Sequence, residues 1–518
     1  MRVDSAPRKR GIAQRIGLVL GPLLALALLT FLDFESGNPL AGRMAAVAAL
    51  MAVWWISEAI PLWATALLPL ALYPLMGILD GKATAPIYVN STIFLFLGGF
   101  MIALTMERWN LHKRIALLII RAIGGGPARL VFGFMAAAAF LSMWISNTAT
   151  AIMMVPIGLA IISQMESRFG PADTHRFSVG LMLGIAYACS LGGIATLVGT
   201  PPNLSLARIF EITFPDAEPI AFGNWFLMAL PLSLIMLVFV WLLIVKVFFR
   251  VPAAIKVDRR LVDFEYRDLG PARFEEKAVF IVFALTALLW VFRKSLNLGL
   301  VTIPGWSGLL PYPDLIDDGT VALVMALTLL FIPTRSDEAV GPTVMGADVA
   351  RRLPWNIVLL FGGGFALAKG FQVTGLSMLI GEEFAGLAGM PPFLMILIVC
   401  LVLTFLTELT SNTATTEMIL PILASVAFAM KVHPLLLMIP ATLSASCAFM
   451  MPVATPPNAI IFGSGRVRIA EMARVGLLIN LIGALVIAGF FYFVGSSIFG
   501  IDTGSFPDWA RSLGNVAD

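Results

Sequence analysis

The sequence predicts an all-α polytopic membrane protein, built from eleven transmembrane helices and two re-entrant hairpins arranged as two inverted repeats. Three observations carry this. Of 518 residues, 59% are hydrophobic and 13% charged, with a mean hydropathy of +0.93, whereas a soluble chain is nearer a quarter charged. Two apolar runs are too long for one crossing and are cut at their centres by polar clusters. Three short motifs recur in the same order in both halves of the chain. The composition excludes a soluble enzyme, and a net charge of +3 from 34 Lys+Arg against 31 Asp+Glu gives no footprint for nucleic acid.

The elements follow in order. A basic segment leads into an apolar run at 16–32, read as the first helix and not a signal peptide because no small-x-small cleavage site precedes Asp33. Runs at 44–60, 62–79 and 92–106 supply the next three helices. In the run 128–164, the cluster Ser146-Asn147-Thr148-Ala149-Thr150 leaves two halves of about 15 residues, or about 23 Å, short of the roughly 30 Å hydrocarbon core. Arg108, Lys113, Arg114, Arg121 and Arg129 before this run and Arg168 and Arg176 after it place both flanks in the cytoplasm. A segment that enters and leaves by one face is a re-entrant hairpin, tolerated where protein or a watery cavity satisfies its backbone.

Runs at 177–209 and 224–249 complete the first half, and the segment 250–277, with Arg250, Lys256, Arg259, Arg260, Arg267, Arg273 and Lys277, reads as a cytoplasmic linker. The second half continues with runs at 276–292, 320–333 and 355–370, a second hairpin at 391–430 around Ser411-Asn412-Thr413-Ala414-Thr415, and runs at 435–463 and 473–497. This topology puts the N-terminus and most basic residues inside and the tail beyond Asp502 outside. Cys189, Cys400 and Cys447 lie inside apolar runs in no metal-ligand spacing and read as small core residues.

Phe96-Leu97-Gly98-Gly99-Phe100 recurs as Phe361-Gly362-Gly363-Gly364-Phe365, and Ser146-Asn147-Thr148 as Ser411-Asn412-Thr413, both displaced by 265 residues. Thr200-Pro201-Pro202-Asn203 recurs as Thr455-Pro456-Pro457-Asn458, displaced by 255. An odd number of crossings separates the copies, so the repeats are inverted, the architecture of secondary transporters.

Each motif has a chemical reason to stand at midplane. Consecutive prolines break a helix, which frees carbonyls such as those of Gly199 and Ala454 for a cation. The Ser-Asn-Thr tips offer oxygens to a hard cation and N–H and O–H donors to an anion at a half-helix N-terminus. No Arg, Lys or His lies within the tips or breaks, so co-bound cations must balance an anion there, and neutral oxygens favour sodium. Three acids complicate this. Glu408 and Glu417 are open to two readings, a carboxylate satisfied by nearby backbone or hydroxyls, or proton coupling; Glu58, before Pro61 at a short turn, reads as packing or interfacial.

At these residues the sequence resembles the divalent anion:sodium symporter family, the dicarboxylate and citrate carriers often called INDY proteins. The resemblance covers almost the whole chain, and includes Trp54 to Pro69 (WWISEAIPLWATALLP), both tips, both breaks and Ser444 to Ile461 (SASCAFMMPVATPPNAII). It departs from the family signature only in having Ile461 at the last position. It implies a homodimer in which a scaffold domain holds a transport domain that moves as an elevator. The scaffold then comprises 1–127, with an interfacial helix, and 278–390, and the transport domain 128–249 and 391–500, with a linker at 250–277 and an outside tail at 501–518.

Carried over by motif, one sodium site uses Ser142, Ser146, Asn147 and Gly199, and the other Thr407, Ser411, Asn412 and Ala454. Substrate carboxylates meet Asn147, Thr148, Thr200 and Pro201 from one half and Asn412, Thr413, Thr455 and Pro456 from the other. The hydroxyls of Thr148 and Thr413 favour a C4-dicarboxylate over citrate. The expectation is a carrier, not an enzyme, that imports succinate, malate or fumarate with sodium across a bacterial inner membrane, with no organic cofactor. A sodium-independent exchanger and a citrate or sulfate carrier on the same fold stand as alternatives.

Overall fold

The computed structural model describes residues 11–31, 38–249, 260–297, 301–336, 341–384, 386 and 389–510. The basic N-terminal segment, linker residues Arg250, Lys256 and Arg259, and the end of the tail lie outside the described residues.

The first half runs α1 (Ile12–Phe31), α2 (Pro39–Ser57), α3 (Leu62–Thr65), α4 (Leu68–Met76), α5 (Gly81–Thr84), α6 (Ser91–Arg108), α7 (Leu111–Ile123), α8 (Pro127–Ser142), α9 (Asn147–Phe169), α10 (Pro171–Gly193), α11 (Pro201–Thr213) and α12 (Phe222–Leu242). The second half runs α13 (Arg260–Asp268), α14 (Phe274–Val291), α15 (Asp318–Phe331), α16 (Val349–Arg352), α17 (Trp355–Thr374), α18 (Leu376–Phe384), α19 (Pro392–Leu406), α20 (Asn412–Ala429), α21 (Leu435–Ala445), α22 (Pro456–Gly463), α23 (Ile469–Phe490) and α24 (Ser496–Ile498). Among the described residues eight helical stretches are long and apolar enough to cross a membrane, and five shorter apolar stretches accompany them, α8, α19 and α21 included. The chain is an integral membrane protein.

Helix boundaries repeat the motif displacements. α8 and α19 begin at Pro127 and Pro392, α9 and α20 at Asn147 and Asn412, and α11 and α22 at Pro201 and Pro456. In the first hairpin α8 runs parallel to α10, since Met135 lies against Gly184 and Ala139 against Gly192, while α9 runs antiparallel to it, with Asn147 against Gly193 and Met182 against Gly158. In the second, α19 parallels α21: Cys400 lies near the Pro440 carbonyl and the Thr407 hydroxyl oxygen lies 2.8 Å from the Ala445 carbonyl. The repeats are inverted in space. The Arg108 end of α6 meets Asp348 at 3.3 Å, a few residues before α17 starts, so the two equivalent helices are antiparallel, and Phe96 and Phe361 meet edge to face at 5.2 Å between centroids.

The repeats also exchange partners. α9 of the first packs on α22 of the second, and α20 of the second on α11 of the first. At one end of the bundle Arg466 pairs with Glu166, and at the other Trp509 of the tail packs on Phe210, Phe214 and His433. Buried ion pairs, Arg114 with Glu276 and Arg293 with Asp318, both at 2.5 Å, lock α7 to α14 and α14 to α15.

Two expectations change. The first hairpin does not have two halves of about 15 residues: α8 has 16, but α9 has 23 and continues to Phe169, because counting an apolar run stops at Glu166 and Arg168 whereas a helix at an interface does not. The run 62–79 is not one helix, since Pro69 stands in the first turn of a new one, α4. Beside the helices, Leu296–Asn297 and Thr302–Ile303 form a small antiparallel ribbon, which leaves the all-α class unchanged.

Close helix approach rests on equivalent glycines. A Cβ on Gly98 would stand 2.7 Å from the Ala322 backbone carbon on α15, and one on Gly363 2.7 Å from the Ala66 Cα that caps α3. Small residues at such crossings let backbones touch where hydrophobic association gives little. Gly98→Ala and Gly363→Ala are each expected to lower the stability of the purified protein by about 1–3 kcal/mol through overpacking, read as a fall in melting temperature. Gly99→Ala, whose nearest neighbours are 3.7 Å away, is expected to leave it unchanged.

Candidate functional site

Both hairpin tips and both breaks line one cavity of about 860 Å³. All eight residues expected to meet substrate are there: Asn147, Thr148, Thr200 and Pro201 from one repeat, Asn412, Thr413, Thr455 and Pro456 from the other. Ser146, Gly199, Ser411 and Ala454 of the expected cation ligands also face it. Ser142 and Thr407 do not; they are fully buried behind the tips, where Ser142 Oγ donates to Asn147 Oδ1 at 2.5 Å and Thr407 Oγ1 to Asn412 Oδ1 at 2.7 Å.

Four helices, α9, α11, α20 and α22, begin at this cavity. The first N–H groups of α9 and α20 have no intrahelical partner; α11 and α22 begin with two prolines, which have no N–H, and offer the cavity only the partial positive charge of their dipoles. Some of these helices are capped from within: Ser146 Oγ accepts from Ala149 N at 3.2 Å, and Thr455 Oγ1 from Asn458 N at 3.3 Å. Among the described residues no Lys, Arg or His lines the cavity, and the one acid that does is Glu58. Glu58 is exposed at the rim, in a left-handed C-cap (φ 48°) of α2, so a packing role is ruled out. Gln14 and Asn356, near the starts of α1 and α17, mark the same open end.

The oxygens expected to hold the first cation converge. A Cβ on Gly193 would lie 2.8 Å from Asn147 Oδ1, 3.1 Å from its Nδ2 and 3.3 Å from the Gly199 carbonyl, so the Asn147 amide and this carbonyl oxygen meet at the glycine. The Ser142 hydroxyl adjoins the same Asn147 oxygen. A set of neutral oxygens of this kind suits a hard cation. In the second repeat the equivalent position is Ala448, fully buried, so the methyl is already present there.

The supports of the breaks were not assigned from the sequence. Asn203 Nδ2 donates to the Thr196 carbonyl at 2.7 Å and to the Gly193 carbonyl at 3.3 Å; Asn458 Nδ2 donates to the equivalent Met451 and Ala448 carbonyls, both at 3.1 Å. The signal was available, as the last letter of the repeated Thr-Pro-Pro-Asn. Glu408 binds the second break directly: its carboxylate accepts from the N–H groups of Phe449, Met450 and Met451 at 2.7, 2.8 and 2.9 Å and from Asn480 Nδ2 at 2.7 Å. Of the two readings left open for Glu408, this is the satisfied carboxylate. In the first repeat Met143 holds the equivalent position, and its carbonyl accepts from the Thr196 hydroxyl at 2.5 Å.

These bonds predict a graded loss. Asn203→Ala and Asn458→Ala each leave buried carbonyls without their side-chain donor and are expected to cost about 1–3 kcal/mol of stability. Glu408→Ala strands three amide hydrogens at once and is expected to cost more than either, with Glu408→Gln in between. Thermal unfolding of the purified variants, followed by tryptophan fluorescence, checks the order.

Comparison with known proteins agrees with this geometry. The family model described as the sodium:sulfate symporter transmembrane region matches residues 19–500. The chain is 42% identical to the sodium-dependent dicarboxylate transporter SdcS of Staphylococcus saprophyticus over 499 residues, 95% of this chain and 93% of that protein. It is also 42% identical to SdcS of Staphylococcus aureus over 494 residues, 94% and 92% of the two chains. In structure it resembles the YdaH transporter of Alcanivorax borkumensis (TM-score 0.52, 14% identity, covering 87% of this chain and 98% of that one). It likewise resembles MtrF of Neisseria gonorrhoeae (TM-score 0.54, 12% identity, 90% and 96%), likenesses that concern the fold alone. With paired tips and breaks around one cavity and a family match over nearly its whole length, this chain belongs to the sodium:sulfate symporter family, the divalent anion:sodium symporters, and is a membrane transporter and not an enzyme.

Proposed function

We propose that the protein imports C4-dicarboxylates such as succinate, malate or fumarate, coupled to sodium, by an elevator movement of its hairpin-bearing domain. The observation that carries this is the convergence of four helix N-termini and two Ser-Asn-Thr tips on a cavity with no basic lining residue among those described. Two carboxylates bound there are met by helix dipoles and by N–H and O–H donors, one from each repeat, and the remaining charge is balanced by cations. The relatives named as sodium-dependent dicarboxylate transporters support both the substrate class and the ion.

In this reading each tip asparagine serves both ligands, with Oδ1 toward the cation beside Ser142 or Thr407 and Nδ2 toward a carboxylate. Sodium binding orders the tips, and the ordered tips bind the dianion, which gives obligatory coupling. Residues 128–249 and 391–500 move against a scaffold of 1–127 and 278–390, and the protein works as a homodimer. With the N-terminus in the cytoplasm, the cavity, open beside Gln14 and Glu58, is the inward-facing state of a plasma-membrane carrier.

The test is uptake of labelled succinate into proteoliposomes with and without an inward sodium gradient. Sodium-dependent accumulation in empty vesicles is expected. Asn147→Ala and Asn412→Ala are each expected to reduce it by at least about a hundredfold, the scale of losing a buried polar ligand pair, while the proteins stay folded. Uptake that needs internal dicarboxylate and ignores sodium would make the protein an exchanger.

A further inference from the structure

Glu417 is the acid that the transport geometry leaves unused. It stands on α20, fully buried, where α20 meets α11 and α17. One carboxyl oxygen, Oε1, is hydrogen-bonded to the Ser205 hydroxyl of α11. The other, Oε2, has no hydrogen-bond partner among the described residues, and it presses on Gly364 of α17, where any side chain would collide with it.

Among the described residues no charged side chain answers this carboxyl from the helices packed on α20. On α11 Arg208 pairs with Glu211 at 2.7 Å, on α17 Lys369 donates to Gln372 at 2.8 Å, and on α2 Arg43 donates to the Met76 carbonyl at 2.8 Å. Glu383 of α18 is exposed, and α21 has no charged residue. An ionised carboxylate with a single neutral donor in the membrane interior is strongly disfavoured. The hydrogen bonds agree. Ser205 Oγ also lies 3.3 Å from the Pro201 carbonyl, and a hydroxyl has one proton to give. Both contacts are satisfied together when Glu417 donates to Ser205 Oγ and Ser205 donates to the Pro201 carbonyl, at the substrate-lining break.

The pseudo-symmetric counterpart of this pair is aliphatic and more exposed, Ile152 being 58% exposed and Ile460 half-buried where Glu417 and Ser205 are fully buried. The position equivalent to Glu417 in the first hairpin is Ile152, and that equivalent to Ser205 in the second break is Ile460, on the α9 and α22 helices that pack together as α20 and α11 do. Two aliphatic residues hold the equivalent places.

We propose that Glu417 is a proton-binding site and that the hairpin domain passes the α17 face only with that proton bound. The movement invoked rests on the transport function proposed above; the bound proton does not. Proton occupancy then gates transport, and the chain from Glu417 through Ser205 to the Pro201 carbonyl reports it to the substrate site.

The full-length protein in detergent is expected to show, at neutral pH, the infrared carbonyl stretch of a protonated carboxylic acid, absent in E417Q. In proteoliposomes, sodium-driven succinate uptake is measured from neutral to alkaline pH, above the range in which the substrate itself titrates. Wild-type uptake is expected to fall with rising pH, approaching about tenfold per unit on its alkaline limb, the limit for one proton. E417Q, a neutral isostere, is expected to transport at a rate that no longer falls. The double variant S205A/E417M, which removes the acid and its hydroxyl partner without adding bulk beside Gly364, is expected to behave in the same way and serves should E417Q fail to fold. A wild-type protein without the acid band, or variants that keep the wild-type pH profile, would overturn the proposal. No succinate movement by wild type at any pH would overturn the transport reading instead, and the infrared comparison would still decide the proton.

Discussion

The structure turns on one constraint: a helix interrupted inside a membrane has no water to satisfy its broken backbone. Each break here frees several backbone groups, and each is bridged by the side chain of the asparagine that directly follows its two prolines. Asn203 and Asn458 gather carbonyls on the near side of the break, so that the carbonyls of Gly199 and Ala454 remain at the cavity. The hairpin tips obey the same rule, with Ser142 and Thr407 donating to the asparagines that begin α9 and α20. Gly199 and Ala454 line the cavity, where a ligand can meet their carbonyls.

Duplication makes the site whole, and divergence makes its halves unequal. Because α9 packs on α22 and α20 on α11, each hairpin rests on the other repeat's broken helix, and neither repeat could form the cavity alone. The equivalent supports have since changed chemistry. A hydroxyl on Thr196 holds the first break to the Met143 carbonyl, whereas the Glu408 carboxylate holds three consecutive amides of the second. Asn147 and the Gly199 carbonyl close on Gly193 too tightly for a methyl, where the second repeat has that of Ala448. A formal negative charge therefore lies behind the second tip alone, next in sequence to Thr407.

Much of the site was legible because its motifs are duplicated and polar in an apolar chain. The two Ser-Asn-Thr tips, the two Thr-Pro-Pro-Asn breaks and the lack of basic residues near them could be read directly. Less legible were residues whose role depends on a partner far along the chain. Glu408 reaches Phe449 and Asn480, Glu417 reaches Ser205, and Trp509 of the tail meets Phe210 and His433. Nothing local marks such pairs. Helix lengths were misread for a related reason: hydropathy reports where lipid ends, and α9 continues past that point to Phe169.

By itself, the sequence determined where helices must break and that the two halves are inverted, since proline chemistry, apolar run length and charge asymmetry are local quantities. Only the tertiary structure decided that four helix N-termini share one cavity and that Ser142 and Thr407 stand behind it and not in it. It alone also set the acid of α20 against a glycine of α17. Those outcomes depend on which faces of distant helices meet, and packing across the repeats sets that, not the spacing of residues within either one.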